Sequence, residues 1–330
     1  MDYAYTLWGW LKAVNSYTLN SAFDIGKDGY YAYNLANNCF AFDAYSYGLQ
    51  YFHEDYTTIS GDNDFWRNNQ YATPLYSGNI SSMNIIMDII MRSSYPLSKV
   101  FHYDKINRIK NMQTSVLGNN SEWEAPTERF NTNYSYDFNG NILHLQRLNG
   151  NGEMTHDITY HYSSQNNRLF STDASGLNSS DYAYDGIGNL SYDTGEGMEV
   201  WWNLAGKVES VSYGHHQLLN FSYSAMGHRQ MKMHVSYDNE VKRTYYIHDA
   251  TGNIMATYTL VDNRLTVNDL YLYGSSRLGS LTKNERISNR PPDPIIPANR
   301  YLRTIGARQF ELTDHLGNVN VVVSDRKKSR

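Results

Sequence analysis

The sequence predicts an all-β fold of antiparallel hairpins, repeated along the chain and joined into a curved or spiralling sheet. Three observations carry that expectation. Among 330 residues, 30 are Tyr and 35 are Asn while only 18% are charged, a balance that favours strands and tight turns over helices. A pattern of the form Tyr-x-Tyr-Asp-x-x-Gly-Asn-apolar stands at Tyr134-Ser-Tyr-Asp-Phe-Asn-Gly-Asn-Ile142 and again at Tyr182-Ala-Tyr-Asp-Gly-Ile-Gly-Asn-Leu190. Close variants occupy residues 246–254 and 310–319, the second with one extra residue before its Asp.

The chemistry of the pattern dictates strand, turn, strand. Tyr134 and Tyr136 are two apart, so a strand points both to one face, where they can stack on equivalent rings of neighbouring strands. Asp137 suits the first position of a type I turn, its carboxylate accepting from amides two residues on. Gly140 adopts a left-handed conformation without a Cβ clash and sets a bulge into the return strand; Asn141 tolerates similar geometry, and Ile142 restarts the apolar pattern. Weaker copies cover residues 101–109, 201–208 and 221–229, and the most degraded is Tyr160-His-Tyr-Ser163. In two copies Asn107 and Asn166 replace the glycine, and Asn is the usual non-glycine residue at positive φ. Asn203, Ser163 and Ser224 replace the Asp, keeping turn chemistry but not charge.

In chain order, residues 1–96 form a less regular N-terminal part. It opens with a repeat-like segment in which Tyr3 and Tyr5 alternate, Thr6 is the anchor and Gly9 follows three later. Met83, Ile85, Met87, Ile89 and Met91 alternate as in a strand, whereas Ile85, Ile86, Ile89 and Ile90 make a helical face; the preceding Gly78-Asn-Ile80 favours the strand. Residues 97–280 are the regular hairpin series, anchored at Asp104, Asp137, Ser163, Asp185, Asn203, Ser224 and Asp249. Residues 281–300 hold Pro291-Pro-Asp-Pro-Ile-Ile-Pro297 and read as an exposed insertion. Residues 301–330 are a final, truncated repeat anchored at Asp314. Eight such hairpins supply about 16 strands, and at about 4.8 Å each the strip runs to about 75 Å. Twist and turn-side bulges should curve it.

Charge and composition exclude several classes. With 28 basic and 33 acidic side chains the formal net charge is -5, so there is no general electrostatic case for nucleic acid. No run of 18 apolar residues predicts a transmembrane segment. The opening Met1-Asp-Tyr-Ala-Tyr is not a signal peptide by pattern. The one cysteine, Cys39, allows no internal disulfide and reads as a small hydrophobe.

Candidate chemistry is sparse, and no catalytic, cofactor-binding or metal-ligating residue is assigned. Asp24, Asp28 and Gly26 or Gly29 suggest a calcium loop only superficially, because the 12-residue ligand spacing is missing. His215 and His216 are adjacent, so in a strand they face opposite ways. Asp104, Asp137, Asp185 and Asp249 offer carboxylates for glycoside chemistry, but their periodic turn positions explain them, and the charge does not persist across copies. Gly188, Gly195 and Gly197 are turn residues rather than a phosphate loop. The repeat Tyr residues read as structural ladders; Trp66 and Trp123 are divided evenly between packing and contact.

The Tyr-Asp-x-x-Gly-Asn units resemble those of the YD-repeat, or RHS-repeat, proteins of bacteria, especially the long secreted and surface forms of Bacteroidetes-like organisms. Further segments resemble that family: Gly9-Trp-Leu-Lys-Ala-Val-Asn15, Tyr76-Ser-Gly-Asn-Ile-Ser81, Trp202-Asn-Leu-Ala-Gly-Lys-Val208, Tyr271-Leu-Tyr-Gly-Ser-Ser-Arg-Leu-Gly279 and Leu312-Thr-Asp-His-Leu-Gly-Asn-Val319. The resemblance implies a β-strip spiralling into a large hollow shell that encloses a C-terminal toxin or displays variable domains outside the cell. It implies a fragment preceding the family's core region, a secreted or cell-surface location, no enzymatic activity and no cofactor. The implied partners are the remaining parts of the same larger polypeptide. The alternative is a surface adhesin whose exposed aromatic residues hold a cell-surface glycan or protein.

Overall fold

A computed structural model describes residues 2–16, 19, 25–26, 43, 45–57, 67–87, 96–119, 122–174, 179–214, 217–287, 304–313 and 316–326. Among these the protein is all-β, with 22 strands, and every described register is antiparallel. Contacts divide the chain into two compact units. One takes Met1–His161, Asp173–Leu177 and Asp314–Val321; the other takes Tyr162–Thr172, Asn178–Thr313 and Val322–Arg330.

The first unit opens with β1 (Tyr3–Tyr5), β2 (Leu11–Val14), β3 (Tyr45–Gln50) and β4 (Ser82–Met87). It continues through β5 (Leu97–Tyr103), β6 (Ile109–Val116), β7 (Thr127–Tyr136), β8 (Ile142–Leu148) and β9 (Met154–Tyr162). Consecutive strands pair from β1 through β9. The strand reading of the methionine-isoleucine segment holds through Met87; residues 88–91 lie outside the described residues.

β3 is buried at every position, with β2 on one side and β4 on the other, so the apolar Tyr45, Tyr47 and Leu49 and the polar Ser46 and Gln50 that alternate along it are all covered. Around it the core is unusually polar. The Gln50 side-chain oxygen accepts from the Asn69 amide N–H at 2.7 Å, and Asn69 Nδ2 donates to Ser98 Oγ at 2.8 Å and Ser115 Oγ at 3.0 Å. These four side chains are tolerated in the core because each finds a partner. Lys12 and Asp55 are buried there as an ion pair at 2.6 Å.

The second unit is thinner in its core. Its strands are β10 (Leu169–Ala174), β11 (Ser180–Tyr184), β12 (Leu190–Asp193), β13 (Met198–Trp202), β14 (Val208–Tyr213), β15 (Gln217–Tyr223) and β16 (Arg229–Val235). They are followed by β17 (Val241–His248), β18 (Ile254–Val261), β19 (Arg264–Tyr273), β20 (Arg277–Arg286), β21 (Arg308–Thr313) and β22 (Val319–Ser324); β9, β10 and β22 contribute residues to both units. Among its described residues Val200, Val211 and Ala256 are the buried hydrophobes, and most residues of β17 and β19 are half-exposed. With so little apolar burial, backbone pairing and side-chain rungs carry more of its cohesion.

The strand count exceeds about 16 because the irregular N-terminal part is itself paired sheet and a further hairpin joins β19 to β20. The anchored turns take the expected form. Gly140 N–H donates to Asp137 O at 3.3 Å, Asp137 N–H donates to Asn141 O at 3.0 Å, and Gly140 has φ 94. A register shift precedes the turn at Ser135/Tyr136, and the same shift recurs at Ala4/Tyr5, His102/Tyr103, Ala183/Tyr184, Trp201/Trp202 and Ser222/Tyr223. These are bulges that bend each hairpin in the same place.

Two details correct the sequence reading. Asn107 has φ 66 as expected, but in the degraded copy the positive φ falls on Asn167, not Asn166, because the Ser163 turn is one residue longer. Asn166 instead accepts from Arg168 N–H through its side chain at 3.2 Å. Turns on the opposite ends of the strands use the same chemistry without the Tyr-Asp signature. Asn149 Oδ1 accepts from Asn151 and Glu153 amides at 2.8 and 3.0 Å, with Gly152 at φ 82, and Ser236 and Asn239 repeat the spacing.

Candidate functional site

The arrangement that recurs is a rung between successive hairpins, built from the aromatic residue immediately before each turn. In the first unit, Tyr51 donates its hydroxyl to Leu11 O at 3.0 Å, Tyr103 to Ile80 O at 2.8 Å and Tyr136 to Ile109 O at 2.6 Å. In the second unit, Tyr184 donates to Leu169 O at 2.7 Å, Tyr223 to Val208 O at 2.8 Å and Tyr273 to Ile254 O at 3.0 Å. Trp202 makes the same rung with its indole Nε1–H to Leu190 O at 2.8 Å. The acceptor is the residue that begins the return strand of the preceding hairpin in nearly every case. Bulging displaces that carbonyl from the ladder, and the ring reaches it from the next hairpin. At His248 the rung is replaced by ring stacking on His228, centroid to centroid 5.4 Å.

Burial pushes the hydroxyls of Tyr103, Tyr136 and Tyr184 up, which keeps them protonated donors. The ring stacking of the Tyr-x-Tyr pairs runs along the strand, as it does for Tyr3 and Tyr5 at 6.5 Å. Tyr134 and Tyr136 stack along their own strand at 6.3 Å, while the neighbour across the sheet is a cation: Arg108 lies over Tyr136 at 4.5 Å and Arg168 over Tyr184 at 5.5 Å. Arg108 also donates to Asp137 O at 2.9 Å, gripping the next turn. Replacing Tyr136 by Phe keeps the ring under Arg108 and deletes one hydrogen bond. It should lower stability by about 0.5–1.5 kcal/mol, read from the urea midpoint at unchanged slope.

Each turn carboxylate is consumed by its own turn. Asp185 Oδ1 accepts from the amides of Ile187, Gly188 and Asn189 at 3.0, 2.8 and 2.8 Å, and Asn189 Nδ2 donates to Oδ2 at 2.9 Å. Asn141 and Asn253 do the same for Asp137 and Asp249, so the recurring Asn is the partner of the Asp side chain rather than a positive-φ residue. In the Asp104 turn Arg108 takes that role, Nε to Oδ2 at 2.6 Å. Asn253's amide, then the Thr251 hydroxyl, hold the Asp249 carboxyl below the ordinary range. The Arg108 backbone amide lowers Asp104; burial opposes it and the Arg108 side chain adds to it. A carboxyl depressed in the fold contributes stability above its unfolded value, near pH 4, and loses it as pH falls through the folded value. Asp249→Asn should therefore flatten the acid limb of the stability curve below about pH 4, followed by circular dichroism.

The other sequence candidates are not gathered into a site. Asp24, Asp28, Gly29, Cys39, Trp66, His215 and His216 lie outside the described residues. Gly188 and Gly197 are turn residues at φ 101 and 58, and the Gly195 amide donates to Asp193 Oδ1 in the same turn as Gly197. Trp123 is 2% exposed and bridges to Leu117, so it is a packing residue and not a contact surface. Asp185 and Glu199 line one groove of about 420 Å³, but the oxygens of Asp185 are occupied as described. Among the described residues no three His, Cys, Asp or Glu side chains gather in a metal-holding group, and no helix is long and apolar enough to cross a membrane.

No protein-family model matches the chain, and no curated protein matches it. In structure it is similar to the crystal structure of TcdB2-TccC3-TEV, with a TM-score of 0.50 at 11% identity over 98% of this chain and 15% of that one. It also matches the crystal structure of TcdB2-TccC3-Cdc42, with a TM-score of 0.29 at 12% identity over 85% of this chain and 16% of that one. The chain thus spans about a sixth of the length of these proteins, and its likeness to the first is a likeness of fold.

Proposed function

We propose that this chain is a non-enzymatic segment of a larger secreted or surface-exposed repeat shell, which encloses or displays another part of the same polypeptide. The observation that supports this best is the rung, repeated hairpin after hairpin at the same place in the turn. A wall must extend without a thick core and must not slip between neighbouring strands. Rungs answer both needs, since each rung fastens a hairpin to the one before it and most of these turns carry their own bulge. The turn carboxylates support the reading from the other side: saturated by local donors, they are poor acids or bases. The fold likeness, over a small share of a much longer chain, fits a segment whose partners are flanking repeats and an enclosed or displayed domain, a toxin being one such domain.

The experiment is protease protection in the full reading frame that contains this chain. The enclosed segment should resist cleavage when the repeats are intact and become cleavable when Tyr136, Tyr184 and Tyr223 are all changed to Phe. Equal cleavage of that segment with and without the repeats present would remove the containment reading.

A further inference from the structure

We infer that the corner formed by Trp8, Phe52 and Tyr76 in the first unit is a binding platform for a neutral carbohydrate, a role separate from the rungs. The Thr6 turn presents Trp8 outward: Thr6 N–H donates to Trp10 O at 2.8 Å, Trp10 N–H donates to Thr6 Oγ1 at 3.1 Å, and Gly9 takes φ 79. Trp8 is 62% exposed and Tyr76 75% exposed. Large aromatic rings left open in this way, in contact with one another, are the kind of surface feature that needs a reason.

The rings are held from behind. Trp8 stacks on Trp10 at 5.6 Å and 27°, and Trp10 packs on Tyr51 at 4.9 Å. Trp10 also lies against Gly78, where an added Cβ would come within a tight 3.2 Å of its ring and the φ of 88 itself favours glycine. Phe52 stacks on Tyr76 at 4.7 Å and 28°, and Trp8 meets Phe52 edge-on at 5.6 Å and 72°. Two ring systems therefore stand nearly at right angles, each already fixed before any ligand arrives.

The chemistry of the corner selects its occupant. The C–H groups on one face of a pyranose carry partial positive charge and complement the negative face of an aromatic ring. Its hydroxyls need donors and acceptors nearby, and exposed Ser77 and His53 directly follow Tyr76 and Phe52 in the chain. A few partly covered rings cannot supply the about 800 Å² per partner of a stable protein interface, whereas one or two sugar rings need far less.

Titration of the whole chain with chitohexaose and cellohexaose, followed by tryptophan fluorescence and calorimetry, tests this. At least one should bind saturably, with Trp8→Ala and Tyr76→Ala each weakening binding about tenfold or more at unchanged melting temperature. Trp8→Tyr should retain most of the affinity, and Trp201→Ala, at an exposed ring in the other unit, all of it. Should Trp8→Ala fail to fold, Tyr76→Ala decides alone. No saturable binding at about 10 mM of either sugar overturns the proposal, as does unchanged binding in the variants. A fluorescence shift that follows protein concentration instead of sugar assigns the corner to self-association and overturns it equally.

Discussion

Asp55→Ala should destabilise the first unit by about 3–5 kcal/mol, because it leaves the Lys12 ammonium buried without that counter-charge. Lys12 Nζ lies 2.6 Å from Asp55 Oδ1, with the two side chains 0% and 1% exposed. The other carboxylate oxygen, Oδ2, accepts from Tyr51 N–H at 2.8 Å, so the substitution also orphans a buried amide. The pair is costly even when intact. Burial lowers the Lys12 pKa from 10.5 to about 8, and the charge and hydrogen bond of Asp55 offset only part of that. The double variant Lys12→Met/Asp55→Leu should therefore recover most of the loss, since apolar replacement of a buried pair is often neutral or better.

The same shift fixes a pH dependence. Between about pH 8 and 10.5 the unfolded chain holds a proton on Lys12 that the folded chain has released, so stability rises with pH through that window. Lys12→Met should remove the rise. Tyr51 acts in the opposite sense and higher: burial, then the Asp55 charge, push it up to about 12, so its contribution falls away only above its ordinary 10.0. Urea unfolding at pH 7, 8, 9 and 10 separates the two. An Asp55→Ala loss below about 1 kcal/mol, or a double variant no better than the single, would show that the pair is not a buried charge site.

The hairpins were legible in the sequence because their chemistry is local: the carboxylate, the glycine and the apolar restart of one turn lie within six residues of one another. That is why Asp137, Asp185 and Asp249 were read correctly, and why the strand choice for Met83, Ile85 and Met87 could be made from a neighbouring turn. The rungs were not legible, since the acceptor is a backbone carbonyl, which no side-chain pattern records. A signal was nevertheless present in the aromatic immediately before most anchors, which includes Trp202 where Tyr is absent; Asp314, preceded by Thr313, departs from it. The Asp–Asn partnership was within reach too, because Asn follows Gly wherever the anchor is Asp137, Asp185 or Asp249, whereas Asn203 and Ser224 are followed by Lys207 and His228 at that place. The polar core was beyond reach. Gln50, Asn69, Ser98 and Ser115 are brought together only by strand pairing, and nothing local distinguishes them from turn residues.

Gly279→Ala should open the junction between β20 and β21, at a cost of about 2–6 kcal/mol. Gly279 is buried, has φ 157, and pairs with Phe310 across the junction. An added Cβ would meet Gln309 O at 2.0 Å and the Phe310 Cα at 3.0 Å. Both obstacles are backbone, so no side-chain rotation relieves them, unlike Gly252, whose added Cβ meets first the His228 side-chain ring. Strand β21 would have to retreat, breaking the Gly279–Phe310, Ser280–Gln309 and Leu281–Arg308 pairs together with the Thr282 N–H to Ala307 O bond at 2.8 Å. Hydrogen exchange should speed selectively at amides of residues 280–282 and 308–310, while amides of β13 through β16 keep their protection. Gly252→Ala should cost less than Gly279→Ala, because both have positive φ, 94 and 157, but at Gly252 the clash is with a side chain that can turn aside. If the two variants were equally destabilised, or if β21 amides exchanged no faster, the close approach of the Gln309 carbonyl to Gly279 would not be what holds this junction in register.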